Sequence, residues 1–199
     1  KTATPERLVS LAGENLFALA RMLDYNIANQ IPLFRISSDI VPFGSSRASA
    51  LPWDTLHAEI LNSIAKKIKQ SNMRVSMHPG QYTVLNSPDA DVVRRAIEDL
   101  AYHAKFLDRL DLDSTHKIIL HVGGKYGDSS SARKRFHSVY RDLPNSIANR
   151  LVLENDGSIF QIDEVLELCH TIGAPAIYDN LHNAINPADA TKSDAYWVA

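Results

Sequence analysis

Four short apolar runs in this chain each end on a residue that can bind a metal ion. The four residues are His78, His121, Glu154 and Asp179. With 8 His, 23 acidic residues and 1 Cys among 199 residues, this coincidence arises by chance in roughly one chain in a hundred, once freedom in placing the strand ends is allowed. Where parallel strands alternate with helices, side chains at the carboxyl ends of the strands converge on one pocket. The pattern therefore predicts a metal site at one end of a barrel.

Helix and strand patterns alternate along the chain without a linker between them. Thr4 is an N-cap with Pro5 at the first helical position, so a helix is predicted to begin there. Five strands are predicted, at 33–36, 74–77, 117–120, 150–153 and 176–178. The later helices are predicted at 53–70, after Ser87-Pro88, from near Asp128 to Pro144, and at 161–172 with Gly173 as the C-cap.

These strands are short and apolar on both faces, which favours a parallel sheet covered by helices. The predicted fold class is α/β, a TIM-type (β/α) barrel. A complete eight-unit barrel takes about 250 residues, and this chain of 199 residues opens with a helix. We therefore expect a single, partial barrel domain over residues 1–199, about strands 2 to 6 with their helices, cut at both ends.

Composition sets only broad limits. The chain is 45% hydrophobic and 22% charged, with a formal net charge of -2, which is ordinary for a globular domain. The apolar stretches fall short of the roughly 18 residues that span a membrane, and no secretory signal pattern opens the chain. We expect no membrane partner and a cytoplasmic location. The single Cys169 is expected to be structural, and the basic clusters at 66–69 and 133–135 are interpreted as solvated helix faces.

The run that follows the second predicted strand is His78-Pro79-Gly80-Gln81-Tyr82. Its turn would hold the imidazole at the strand end and project Gln81 and Tyr82 over the pocket. One isolated histidine is more often a hydrogen-bonded loop residue than a ligand. The other strand ends favour a metal ligand here.

His121 precedes a glycine-rich loop at 123–128 that contains Lys125 and leads into a helix. Backbone amides in such a loop, with a helix N-terminus behind them, can accept a phosphate. Glycine loops also serve tight turns, and Lys125 could simply be solvated. The sequence leaves both interpretations open.

Glu154 closes an apolar strand, where a carboxylate is costly unless it is paired or coordinated. It could bind a metal or form a salt bridge to Arg35. Asp179 and His182 lie three residues apart, so a turn could direct both at one ion. Oxygen and nitrogen ligands without a thiolate suit Mn²⁺, Mg²⁺ or Zn²⁺, and Mn²⁺ is the first choice. The other histidines are interpreted as surface or packing residues: His57, His103, His116, His137 and His170.

Several motifs together resemble the UV damage endonuclease family. The resemblance runs from about the first helix to Asn186, in matching order and spacing, and the HPGQ and ENDG-like motifs are specific when they occur together. The matching segments are 34–39, 77–82 with 86–88, 121–124, 153–156, and Asp179 with His182.

The resemblance implies a TIM barrel with divalent metals, usually manganese, that hydrolyses the phosphodiester 5′ of a UV photoproduct in double-stranded DNA. This is the first incision of an excision repair pathway, and such an enzyme would be associated with the nucleoid during repair. Position by position, the implied metal ligands are His78, His121, Glu154, Asp179 and His182. Gln81 and Tyr82 match the pair that probes the damaged duplex. We expect Glu154 and His121 to act in catalysis.

The chain departs from the family pattern in three places. Ser46 stands where the family usually has another metal-binding histidine. A first strand would precede Lys1, and two further strands, with additional ligands, would follow Ala199. An open barrel has two exposed sheet edges, so self-association through these edges is expected.

Two other functions remain open at this stage. Sugar isomerases and epimerases on the same barrel also place Glu, Asp and His around a divalent ion, although a duplex-probing Gln81-Tyr82 pair has no evident use there. A non-catalytic DNA-binding module would bind DNA in a salt-dependent manner without nicking it.

Overall fold

The computed structural model describes residues 4–46 and 51–189. Within these residues there are five strands: β1 (Leu33–Ile36), β2 (Arg74–Met77), β3 (Ile118–His121), β4 (Leu151–Glu154) and β5 (Ala176–Ile177). The helices of the same residues are α1 (Pro5–Ala28), α2 (Trp53–Leu56), α3 (Ala58–Gln70), α4 (Ala90–Arg109), α5 (Ser129–Arg141), α6 (Asn145–Ala148), α7 (Ile162–Ile172) and α8 (Asn180–Ile185), with a 3₁₀ turn at Ser38–Ile40.

The strands form one sheet in the order β1-β2-β3-β4-β5. β1 pairs with β2, β2 with β3 and β4 with β5, all in parallel. At least one helix separates each pair of successive strands along the chain, so strands that follow one another in sequence are neighbours in the sheet. This is the winding of a (β/α) barrel, and it is the architecture that the alternating sequence pattern predicts.

The contacts of the chain divide it into two compact units. The first comprises Lys1–His78 and Glu98–Ile118, and the second comprises Pro79–Ile97 and Ile119–Ala199. The single-domain organisation over residues 1–199 stays a prediction.

In the first unit, α1 packs on α3 through a stripe of leucines and alanines at helical spacing. Each fully buried leucine contributes about 1.5–3 kcal/mol relative to an exposed one. An aromatic cluster stands beside this core, since the Trp53 ring lies 5.7 Å from that of Phe106 and 6.1 Å from that of Tyr102. Thr4 accepts a hydrogen bond from the amide of Arg7 and begins α1 with Pro5, which confirms the predicted N-cap.

The prediction of one helix over 53–70 is wrong, because the chain leaves helical geometry at His57 (φ -114°, ψ 28°). The His57 imidazole Nε2 lies 3.1 Å from the carbonyl oxygen of Val9 in α1. The ring also covers Gly13, where an added Cβ would come within 3.1 Å of it. The interruption thus lets the imidazole dock on α1, a tertiary contact that helical spacing alone does not reveal.

In the second unit, α7 packs on β4 and on α5, and the rings of Phe136 and Phe160 are fully buried. α7 ends at Gly173, whose φ of 70° is the left-handed conformation of a C-cap, as predicted. A further short helix, α6, begins after Pro144, which the sequence pattern did not predict. In the described part of the chain, no helix is both long enough and apolar enough to cross a bilayer.

Candidate metal centre

His121 and Glu154 are the last residues of neighbouring strands, and their side chains meet. The Nε2 atom of His121 lies 3.4 Å from the Oε2 atom of Glu154. The residues before them in β3 and β4 are buried, which anchors both strand ends in the core. The Glu154 side chain is only 4% exposed. A carboxylate buried this deeply is costly unless it is paired or coordinated, and a metal ion at this position would coordinate it.

His78 completes a group of three possible ligands. It directly follows β2, and its backbone carbonyl accepts a hydrogen bond from the Ser38 hydroxyl. One ligand atom from each of His78, His121 and Glu154 lies within 4.8 Å of the other two. A divalent ion binds such atoms at about 2.0–2.2 Å, so two ligand atoms of one ion lie up to about 4.4 Å apart. The spacing is close to this limit, and the chemistry of the group, two imidazoles and a carboxylate, suits a divalent metal.

Asp179 and His182 are held at the start of α8. Asp179 is the N-cap, and its carboxylate accepts a hydrogen bond of 2.8 Å from the His182 amide. The His182 ring lies with its centroid 5.4 Å from that of His121. Its Nδ1 atom lies 2.8 Å from the carbonyl oxygen of Asn155. A carbonyl only accepts, so Nδ1 carries the proton and Nε2 offers a lone pair. The predicted roles of Asp179 and His182 as metal ligands stay predictions.

Asn155 is a functional residue that sequence reasoning missed. Its side-chain amide donates to the carbonyl of Asp179 at 3.0 Å and its side-chain oxygen accepts from the amide of Asp179 at 2.8 Å. Both bonds lie just beyond the last pair of β4 and β5, in which Glu154 lies opposite Ile177. Asn155 is buried, and it orients both Asp179 and His182. An asparagine directly after a buried carboxylate was the available signal.

Gln81 and Tyr82 lie in the turn after β2 and are exposed, as the sequence led us to expect. Tyr82 is 69% exposed, and the amide of Thr83 closes the turn on the carbonyl of Gly80 at 2.9 Å. A macromolecular ligand can therefore reach both side chains. Their role in probing DNA stays a prediction.

Comparison with known proteins places the chain in a family. The family model of the UV-endonuclease UvdE matches residues 1–197. The chain belongs to the UvdE family. A UV DNA damage endonuclease of Clostridium perfringens (strain 13 / Type A) is 44% identical over 183 residues, which are 92% of this chain and 44% of that protein. One of Bacillus cereus (strain Q1) is 36% identical over 94% of this chain and 59% of that protein. The chain thus spans about half the length of these curated relatives.

Solved structures agree with this assignment. The crystal structure of SacUVDE superposes with a TM-score of 0.92 and 37% identity, over 99% of this chain and 68% of that chain. The crystal structure of D-psicose 3-epimerase in the presence of D-fructose gives a TM-score of 0.61 at 15% identity, over 85% of this chain and 61% of that chain. The epimerase likeness concerns the fold alone. The predicted incomplete TIM-type barrel and the predicted resemblance to UV damage endonucleases are both confirmed.

In this UvdE family member, the two residues after Glu154 hold two different loops in place. Asn155 orients the loop after β5, as described above. The carboxylate of Asp156 accepts hydrogen bonds from the amides of Ser158, Ile159 and Phe160. These bonds close the loop between β4 and α7, so Asp156 shapes the backbone and does not belong to the group of three.

The glycine-rich loop after His121 does not present a vacant phosphate site. The carboxylate of Asp128 accepts from the amides of Ser130 and Ser131 and so caps α5. A further hydrogen bond from the Ser131 hydroxyl, together with those from the two amides, lowers the pKa of the Asp128 carboxyl. Lys125 forms an ion pair of 2.8 Å with Glu164. Both groups that a phosphate would use are engaged within the protein, so the structure favours the tight-turn interpretation.

Ser46 lies in a turn, where its amide donates to the carbonyl of Phe43 at 2.9 Å. What this serine means for metal binding stays a prediction. The other histidines are surface or packing residues, as predicted. His116 Nδ1 accepts from the amide of Val75 at 3.1 Å. His103 is buried, and burial outweighs the neighbouring Asp99 carboxylate and lowers the pKa of His103.

Proposed function

We propose that the chain carries the metal centre of a DNA repair endonuclease that recognises UV photoproducts in double-stranded DNA and hydrolyses the phosphodiester 5′ of the lesion. The observation that carries this proposal is the grouping of His78, His121 and Glu154 at strand ends within 4.8 Å of one another. Membership of the UvdE family supports it, as do the relatives that are named UV DNA damage endonuclease.

The chemistry of the donors suits a hard or borderline divalent cation, and Mn²⁺ is our first choice, ahead of Mg²⁺ and Zn²⁺. The residues that would hold it are His78, His121 and Glu154, with Asp179 and His182 as further ligands. A divalent ion bound there supplies Lewis acidity toward the phosphodiester.

The side chains of the site would position the cation. The Glu154 carboxylate is buried, with its side chain 4% exposed, and opposite charges attract more strongly in a buried site than in water. His121 Nε2 lies 3.4 Å from that carboxylate, so both side chains would face the same cation and hold it where it acts on the phosphodiester. Glu154 and His121 are thus the proposed catalytic residues.

Gln81 and Tyr82 are the proposed lesion-probing pair. They are exposed in the turn after β2, where they can enter a duplex whose stacking and pairing a photoproduct has weakened. Inserting an aromatic and an amide at such a step costs less than at an intact step. An enzyme with this substrate works at the chromosome, so we place it in the cytoplasm with the nucleoid. Self-association stays a prediction that light scattering would test.

A nicking assay tests the proposal. The substrate is an end-labelled duplex with one defined UV photoproduct, incubated with Mn²⁺ beside an undamaged duplex and a lane with chelator. Glu154→Gln keeps the side-chain shape and removes the charge, while Glu167→Gln, at an exposed position of α7, is the matched control.

We expect one cut immediately 5′ of the lesion for the wild type and Glu167→Gln, and none for Glu154→Gln or with chelator. Binding of the lesion duplex without a cut, in folded protein with metal bound, would make the chain a non-catalytic DNA-binding module. Turnover of a ketose with no action on DNA would instead establish a sugar epimerase.

A further inference from the structure

Two loops of the second unit share one local contact. Gly80-Gln81-Tyr82 follows β2, and Gly124-Lys125-Tyr126 follows β3. In each loop the tyrosine ring folds back over the glycine two residues earlier. A Cβ added to Gly80 would come within 2.4 Å of the Tyr82 ring, and one added to Gly124 within 2.9 Å of the Tyr126 ring. Each glycine therefore makes room for the ring of the tyrosine two residues later.

Both rings remain open to solvent. Tyr82 is 69% exposed and Tyr126 is 50% exposed. Exposed aromatic rings that are held in place by backbone packing lose little conformational entropy when a ligand stacks on them. The two loops thus present a pair of preorganised aromatic surfaces.

The backbone at Tyr126 is unusual. Its φ is 50°, in the left-handed region that a residue with a bulky side chain seldom adopts. Such conformations are unfavourable, and they persist where the surrounding structure imposes them, often at functional sites. Here the amide of Asp128 bonds to the carbonyl of Lys125 at 3.1 Å and holds the turn. The turn therefore keeps Tyr126 in a conformation that directs its ring over Gly124.

A cation supports the Tyr126 ring. The guanidinium carbon of Arg135 lies 5.4 Å from the ring centroid. The prediction that Arg135 lies on a solvated helix face is wrong, because its guanidinium lies over the Tyr126 ring and the residue is half-buried. Arg133 and Lys125 each pair with a carboxylate. Among the described residues, no ion pair engages Arg135, so its positive charge stays available to attract an anionic partner.

Asn86 joins the two loops. It is fully buried, and its side-chain amide donates to the carbonyl of Gly124 at 2.8 Å. The backbone carbonyl of Asn86 accepts a hydrogen bond of 2.8 Å from Nε of Arg135. Asn86 thereby ties the segment that carries Tyr82 to Gly124, which the Tyr126 ring covers. It also ties this segment to Arg135, which lies over the same ring. The two tyrosines consequently belong to one continuous structure.

We infer that Tyr126, supported by Arg135, is a second DNA-contacting aromatic residue that acts together with Tyr82. This inference rests on the proposed function. The ring stacks on a base or deoxyribose of the distorted duplex, while the charge of Arg135 attracts the phosphate backbone. His121 lies only five residues before Tyr126, so this contact falls on the loop that leaves the candidate metal centre.

The test compares DNA binding by variants that keep the left-handed backbone. Tyr126→Asn removes the ring, and asparagine tolerates a positive φ; Tyr126→Gly is a second variant in case the first folds poorly. Tyr126→Phe keeps the ring. Tyr25→Asn removes a tyrosine of α1 that is 64% exposed and is the matched control. Fluorescence anisotropy measures binding to the lesion duplex and to undamaged duplex with chelator present, so that binding is separated from hydrolysis.

We expect Tyr126→Asn and Tyr126→Gly to bind the lesion duplex roughly ten-fold more weakly than the wild type, as for the loss of one stacked base. Tyr126→Phe and Tyr25→Asn should bind the lesion duplex with an affinity within about two-fold of the wild type. The affinity for Mn²⁺, measured separately by calorimetry, should be unchanged in all of these variants. Wild-type affinity in the Asn and Gly variants would overturn the inference and leave the proposed function standing. An equal loss in Tyr25→Asn would also overturn it. A wild-type protein that neither binds nor nicks the lesion duplex would overturn both the inference and the proposed function.

Discussion

The Nδ1 atom of His182 lies 2.8 Å from the backbone carbonyl oxygen of Asn155. This contact assigns the proton to Nδ1 and leaves Nε2 with a lone pair. The side chain of the same asparagine holds the backbone of Asp179 through two hydrogen bonds. Asn155 therefore acts as a positioning residue for two of the proposed metal ligands, since hydrogen bonds from outside the ligand set orient the ligands themselves.

Asn155→Ala should weaken Mn²⁺ binding by roughly 10–100-fold, because Asp179 and the loop that carries His182 lose their orientation. It should also lower the free energy of unfolding by about 1–3 kcal/mol, since two hydrogen bonds to the partly buried backbone of Asp179 are lost. Isothermal titration calorimetry measures the first effect and urea denaturation the second. Asn145→Ala, at an exposed position of α6, is the control. A fully folded Asn155→Ala protein with unchanged Mn²⁺ affinity would show that Asn155 does not position the ligands.

If Glu154 binds the metal, Mn²⁺ should raise the melting temperature of the protein. Mn²⁺ at about 100 times its dissociation constant stabilises a folded protein by about 2.7 kcal/mol, which raises the melting temperature of a chain of this size by roughly 5–10 °C. Glu154→Gln should abolish this rise, because it removes the carboxylate that would bind the ion. Glu167→Gln should keep the rise. Differential scanning calorimetry with and without Mn²⁺ measures the melting temperatures. If Mn²⁺ raises the melting temperature of Glu154→Gln as much as that of the wild type, Glu154 is not a ligand.

The sequence predicted those parts of the fold that depend on local chemistry. The caps at Thr4 and Gly173 are confirmed because capping needs only a side chain or a glycine next to the helix end. The strand ends at His121 and Glu154 are confirmed because an apolar run followed by a polar residue marks where a buried strand leaves the core.

Features that depend on tertiary contacts could not be predicted in this way. The interruption at His57 follows from a contact with Val9, 48 residues away. Arg135 turns inward because the carbonyl of Asn86 accepts its Nε hydrogen, although its neighbours in sequence suggest a solvated face. Asn155 acts on Asp179, 24 residues away. In each case the partner is distant in sequence, so local periodicity carries no signal of it.

Cys169 should be inert in the folded protein. Burial raises the pKa of its thiol to about 11, so roughly one molecule in a thousand carries the thiolate at about pH 8. A thiol-specific reagent such as DTNB should label the native protein very slowly and the urea-unfolded protein rapidly, with one equivalent, since the chain has a single cysteine. Cys169→Ala provides the blank. Rapid labelling of folded protein would contradict the structural role.

Glu164 should make the stability of the second unit depend on pH. Burial alone would raise the pKa of Glu164, but hydrogen bonds from Lys125, Ser129 and the amide of Gln161 outweigh it and lower the pKa from its ordinary value of 4.5. A lowered pKa in the folded state means that the stabilisation is complete above about pH 4.5 and is lost as the pH falls through the lowered value.

Glu164→Gln should therefore have a lower free energy of unfolding than the wild type at about pH 7, where the carboxylate is charged in both states. The difference should shrink as the pH falls below 4.5 and the wild-type carboxyl takes up its proton. Urea denaturation over this pH range measures both proteins. Glu167→Gln, on the same helix but with a side chain that is 69% exposed, should show a much smaller difference, because exposed ion pairs contribute little. A constant difference between Glu164→Gln and the wild type at all pH values would mean that the contacts of Glu164 stabilise the fold independently of its charge.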